Sequence, residues 1–144
     1  MNLFSVLSIG ASGMAAQRVR AEMLTENLAN AETTRTPEGG PYRRKDVVFE
    51  ASGAQSPFAS ALSSELETAG GVSVSEVVTD KSDPELRYVP GHPDADANGY
   101  VAFPRVHPAE DMVDLMSTAR SYQANVAAIS AVKDMIQRSF DLFH

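Results

Sequence analysis

Steps of three and four residues alternate without a slip at both ends of this 144-residue chain, and no other feature constrains its fold as strongly. The N-terminal series reads Leu3, Leu7, Gly10, Met14, Gln17, Ala21, Leu24, Leu28 and Ala31. The C-terminal series reads Met112, Leu115, Ala119, Tyr122, Val126, Ile129, Lys133, Ile136, Phe140 and Phe143. A period of about 3.5 residues keeps a narrow stripe of one helix turned toward another, as in a coiled coil. The pattern predicts a first helix from Asn2 or Leu3 to Ala31 and a second from Pro108 to the last residues. Function is then to be sought in what the two stripes pair with, not in a catalytic pocket.

The second helix is well specified at its ends. Pro108 suits a first helical position, where its missing N–H costs nothing. Glu110, Asp111 and Asp114 complement the positive end of the helix dipole, and Lys133 and Arg138 the negative end. The first helix is weaker, because Gly10 and Gly13 together cost on the order of 1–2 kcal/mol relative to alanine. Those glycines are read either as sites of close approach by a neighbour or as a hinge and frayed start.

Between the helices the texture changes. All eight prolines and seven of the nine glycines lie in residues 32–108. A turn at Thr36–Pro41 precedes a strand expected over Tyr42–Phe49, with further strands over Val72–Val78, Leu86–Val89 and Tyr100–Phe103. Ala51–Gly71 reads as a loop with a short helix near Leu62–Leu66. So few large apolar side chains make a small core at best. The expected fold is therefore mainly α with a small β-rich insert. Its three parts are an N-terminal helix (1–31), a middle segment of short strands and loops (32–108), and a C-terminal helix (109–144) that pairs with the first.

Composition excludes several function classes. The chain has no cysteine, which removes disulfides, thiolate nucleophiles, thiolate zinc sites and iron–sulfur ligation. Its net charge is −7, and the only basic run is Arg43-Arg44-Lys45, which argues against nucleic acid and against anionic membrane surfaces. No apolar stretch approaches the roughly 20 residues that span a bilayer. The first residues lack the basic region of a cleaved signal peptide, so any export is expected to use another route.

Asp94-Ala95-Asp96-Ala97-Asn98-Gly99-Tyr100-Val101 matches the first half of an EF-hand loop, with oxygen ligands at positions 1, 3 and 5 and glycine at 6. The second half fails, because Arg105 stands where a bidentate glutamate is needed and Pro90 and Pro93 precede the loop. An Asx-turn series ending in an Asn98-Gly99 hairpin turn explains the same string. His92, His107 and His144 read as surface residues, and no nucleophile elbow, P-loop or dinucleotide fingerprint is present, so no catalytic, cofactor-binding or metal residue is assigned and an enzyme is not expected. Asn27, Asn30 and Asn125 lie beside the stripes and Tyr122 on one of them, where they either fix helix register or are simply solvated.

Ser12-Gly13-Met14-Ala15-Ala16, followed by Glu26-Asn27-Leu28-Ala29-Asn30-Ala31-Glu32-Thr33-Thr34, resembles the N-terminal signature of bacterial flagellar axial proteins of the rod and hook. Residues 34–45, 90–101, 110–116 and 119–126 are similar to motifs of the proximal-rod branch of that family, and the likeness spans nearly the whole chain. Leu28 stands where axial proteins commonly have isoleucine, a change that conserves volume. The resemblance implies a non-catalytic structural subunit that is exported by the flagellar type III apparatus without a cleaved signal. It implies helical polymerisation, with the terminal helices forming the inner tube and the middle segment facing outward. Expected partners are further copies, other rod subunits, and membrane-ring and export-gate proteins; the expected location is the periplasmic rod of the basal body. Leu3, Leu7, Gly10, Met14, Leu24, Asn27, Leu28, Asn30, Met112, Leu115, Tyr122, Asn125, Val126, Ile129, Ile136 and Phe140 are the candidate assembly residues. A cytoplasmic coiled-coil adaptor and a calcium-binding module are the alternatives.

Overall fold

Two long helices pair, and between them in sequence lie two small antiparallel ribbons. In the computed structural model, described for residues 3–52 and 70–141, the order is α1 (Leu3–Ala29), β1 (Lys45–Ser52), β2 (Gly71–Thr79), β3 (Glu85–Tyr88), β4 (Tyr100–Phe103) and α2 (Pro108–Asp141). The short helix expected near Leu62–Leu66 lies outside the described residues, as do Phe143 and the side chain of Leu3.

The helix pair is antiparallel. Gly10 near the start of α1 packs on Ile129 late in α2, whereas Arg20 further along α1 reaches Asp114 early in α2, at 3.9 Å. α1 ends two residues before its expected limit because Asn30 turns the chain. The Asn30 backbone N–H and its side-chain amide both donate to the Glu26 carbonyl, at 3.1 and 2.9 Å. The next residues form a loop in which Tyr42 N–H donates back to the Thr33 carbonyl, at 3.0 Å. Gly39 and Gly40 supply φ values of 93° and 77° at its tip, a region that β-carbon-bearing residues avoid. Because Tyr42 is spent on that loop, β1 starts at Lys45 and not at Tyr42.

β1 and β2 pair antiparallel from Lys45↔Thr79 to Ser52↔Gly71, with an irregularity between Val48 and Phe49. The ribbon lies against α1, and Ser12 anchors it. Its Oγ donates to the Ile9 carbonyl (2.8 Å) and accepts from the Val72 N–H (3.1 Å). β3 and β4 pair from Glu85↔Phe103 to Tyr88↔Tyr100. Alternation across this hairpin turns Val101 into the core, 1% exposed, and leaves Leu86, Tyr88 and Tyr100 outside. The connecting loop is an Asx structure. Asp96 Oδ1 accepts from the N–H groups of Asn98 (2.8 Å) and Tyr100 (2.9 Å), and Gly99 closes the turn with φ 82°. Asn98-Gly99 thus fills the last two positions of a turn beginning at Asp96, not the two central ones.

Buried apolar side chains are few among the described residues: Ala16, Leu24, Tyr42, Val101, Pro104, Val106 and Val132. Polar ones are buried with them, namely Ser5, Asn27, Asp111 and Thr118. A core this small leaves the relative placement of helices and ribbons to specific polar contacts.

Candidate assembly surface

The face on which the two helices meet is more polar than the stripe that the heptad reading selects, and on α2 its buried residues Asp111, Thr118 and Val132 lie outside that stripe. Gly10 is buried, and a β-carbon there would lie 3.0 Å from Ile129 Cγ1. A β-carbon on Gly13 would lie 3.0 Å from Asn125 Nδ2. The two glycines therefore let α2 approach α1 closely, which is the close-approach reading and not the hinge. Gln17 continues the seam with its Oε1 buried and without a hydrogen-bond donor among the described residues. At the far end of the pair Asp111 is 1% exposed, and Arg44 Nη1 stands 2.9 Å from its Oδ1. The contact is close but not aligned as a hydrogen bond, and neither carboxylate oxygen receives one. Burial pushes the Asp111 carboxyl above the ordinary aspartate range, and the Arg44 charge only partly opposes this.

Asn27 is fully buried and organises the junction of α1 with the middle segment. Its Nδ2 donates to the Lys45 carbonyl (2.8 Å), and its Oδ1 accepts from the Lys45 N–H and the Tyr42 hydroxyl (both 2.9 Å). The amide thus pairs with the first residue of β1 as another strand would, and caps that edge. Glu26, one residue earlier, forms an ion pair with Lys45 Nζ. The second loop is tied to the first through Asp94, which accepts from Thr34 Oγ1 (2.8 Å) and faces Arg35 Nη1 at 3.6 Å. Asp94 and Asp96, the leading residues of the EF-like string, are therefore both occupied in loop hydrogen bonds.

Placement of the sequence-selected residues follows a simple division. In α1, Gly10, Leu24 and Asn27 are buried and Leu7, Met14 and Leu28 half-buried, as is Asn30 just past its end. In α2, Leu115, Asn125, Ile129 and Ile136 are half-buried, Asn125 and Ile129 against Gly13 and Gly10 of α1, whereas Met112 (52% exposed), Tyr122, Val126 and Phe140 (71%) are exposed. The intrachain stripe expected through Met112, Ala119, Val126, Lys133 and Phe140 is corrected by one residue. Asp111, Thr118, Asn125 and Val132 occupy the inner positions. The physical reason is approach distance. Small and polar side chains allow α2 to settle onto Gly10 and Gly13, which a row of Met, Val and Phe would hold off. Ser12, Tyr42, Arg44 and Asp111 are the structural residues that periodicity did not select.

Comparison with known proteins adds an independent line. Residues 7–35 match the family described as "Flagella basal body rod protein" and residues 97–142 the family described as "Flagellar basal body rod FlgEFG protein C-terminal". The flagellar basal-body rod protein FlgC of Bacillus subtilis is 43% identical over 150 aligned positions, covering 99% of both chains. FlgC of Salmonella typhimurium is 39% identical over 142 positions, 99% of this chain and 98% of its own. FlgC of Aquifex aeolicus is 37% identical and likewise covered nearly end to end, at 98% and 97%.

Proposed function

The chain belongs to the FlgC family of flagellar basal-body rod proteins and is a structural subunit of that rod, and from this premise we propose that it builds the proximal rod by helical polymerisation. The observation that carries the polymer reading is the outward half of α2. Met112, Val113, Met116, Val126 and Phe140 are each at least 41% exposed along one helix, more apolar surface than an isolated soluble helix pair ordinarily leaves in water. Neighbouring subunits cover such a surface in an assembly. The contacts are to other rod subunits, and at the membrane-proximal end to ring and export-gate proteins. The role is mechanical and involves no catalysis. No helix among the described residues is long and apolar enough to cross a membrane. Delivery to the periplasmic rod is by the flagellar type III apparatus, with an uncleaved N-terminal signal.

The exposure pattern supplies a discriminating test. Val126→Asp changes an outward side chain, whereas Leu24→Asp destroys a side chain that is 4% exposed. Val126→Asp is expected to leave the subunit folded and exported, yet to remove it from purified basal bodies and to abolish swimming. A Val126→Asp strain that swims normally would remove the outer stripe of α2 from the interface.

A further inference from the structure

Asp111 is a buried ionisable group whose bonding capacity the fold leaves unused. Its side chain is 0% exposed, and neither carboxylate oxygen receives a hydrogen bond among the described residues. A buried carboxylate keeps its charge cheaply only when hydrogen-bond donors or a dedicated counter-ion replace its water. Its ion-pair partner, Arg44, is shared. Arg44 Nη1 stands 2.9 Å from Asp111 Oδ1, while Nε donates to the Asp46 carboxylate at 3.2 and 3.3 Å. Each element of the junction adds charge nearby. Asp46 stands on β1 and Arg44 just before it; Asp114 stands on α2 and His107 just before it. From α1 come Arg20, which reaches Asp114 at 3.9 Å, and Glu26, which is paired with Lys45. The side chains of Asp46 and Asp114 are 57% and 44% exposed, so water solvates their charges. Asp111 lacks that solvation and feels both of them.

We propose that Asp111 is a proton switch in this junction, holding a proton in mildly acidic solution and losing it, at a cost to the junction, as pH approaches neutrality. Burial is the largest influence and favours the neutral acid, as do the carboxylates of Asp46 and Asp114. Arg44 and His107 oppose it, and so does the positive end of α2, near which the residue lies. The outcome is a folded carboxyl above its ordinary value of 3.8. The unfolded chain therefore ionises first. The stability that Asp111 contributes is complete below the unfolded value and is lost as pH rises through the folded one. Protonated, Asp111 is a neutral group that leaves Arg44 to Asp46; ionised, it is a buried charge with a divided partner. Arg44 and Asp111 join the start of α2 to the start of β1, so the switch sets how firmly the long helix is fixed to the middle segment.

Thermal unfolding of the full-length subunit, native and Asp111→Asn, from pH of about 4 to about 8 tests the switch. Asparagine keeps the shape of the side chain and cannot ionise. The midpoint of the variant relative to the native chain is expected to climb by a few degrees as pH rises across that range. A difference that stays flat, or falls, would overturn the proposal. A second readout leaves the buried site untouched: NMR titration of the Asp111 carboxyl carbon in the native chain and in Asp114→Asn, which removes an exposed like charge. The native midpoint is expected above 3.8, and the Asp114→Asn midpoint below the native one. A native midpoint at or below 3.8, or one that Asp114→Asn leaves in place or raises, would equally overturn it. Both measurements use the dilute subunit and are independent of its place in the rod.

Discussion

Asn27 answers the Lys45 N–H and carbonyl with the two ends of one amide and also receives the Tyr42 hydroxyl, all without solvent. Asn27→Ala would strand three groups, and an unsatisfied buried polar group costs about 1–3 kcal/mol. We expect unfolding free energy to fall by about 3 kcal/mol in urea titration, and a loss below about 1 kcal/mol would contradict the hub role. Tyr42 carries a second, pH-linked consequence. Burial first, then the nearby charges of Glu26 and Asp111, push its hydroxyl up to about 12, against about 10 in an unfolded chain. A raised folded value means that its contribution is complete below pH of about 10 and disappears as pH climbs through the folded value. Stability is therefore expected to drop between pH of about 10 and about 12, because the unfolded chain releases the proton first. Tyr42→Phe should be weaker at neutral pH, lacking the bond to Asn27, but flatter across that alkaline window. Equal slopes for the two proteins would place the ionisation elsewhere.

At the scale of elements, the helix pair is defined by what α1 lacks. Gly10→Val would add a branched side chain where even a β-carbon lies 3.0 Å from Ile129 Cγ1. Overpacking of that kind costs about 1–3 kcal/mol. The expected signature is a lower thermal midpoint with loss of the α1–α2 contact, rescued in part by Ile129→Ala, which removes the facing atoms. No rescue would mean that the two residues act independently. The same contact explains how far the sequence was legible. Both helices, four strands and the start of α2 at Pro108 followed from periodicity, turn residues and capping, because each is a local property. The seam was legible only in part. Gly10 and Ile129 meet as the seam expects, Gly13 and Arg20 join that face through Asn125 and Asp114, and Asp111, Thr118 and Val132 are buried where Met112, Ala119 and Lys133 are exposed. A hydrophobic ranking always prefers methionine to glycine. It cannot register that a shorter interhelical distance makes glycine the better neighbour. Arg44–Asp111 and Asn27–Lys45 were hidden for another reason, since they join residues far apart in sequence through geometry that only the assembled junction supplies.

The whole molecule has its well-packed region at one end. α1 is enclosed by α2 on one side and by the β1–β2 ribbon on another, whereas α2 contributes only Asp111, Thr118 and Val132 as buried residues over 34 positions. The Asn27, Tyr42 and Arg44–Asp111 contacts all gather where α1 ends and α2 begins, so local stability should decline along α2 away from that junction. Local opening is least costly where buried contacts are fewest, and a long helix with little tertiary support is marginal in water. Hydrogen exchange of the dilute, unassembled subunit should therefore show the strongest protection at residues 20–29, 42–48 and 101–118, and the weakest at residues 130–141. Incorporation into the rod should reverse the order for the outer half of α2, raising protection at residues 126–141 by at least tenfold, because neighbouring subunits then cover Val126, Met135 and Phe140. Uniform protection along α2 in the free subunit would show that the helix needs no neighbour, and the polymer would then be an association of finished rods. The graded outcome would make assembly itself the last step in folding each subunit, coupling the ordering of α2 to the contact that extends the shaft.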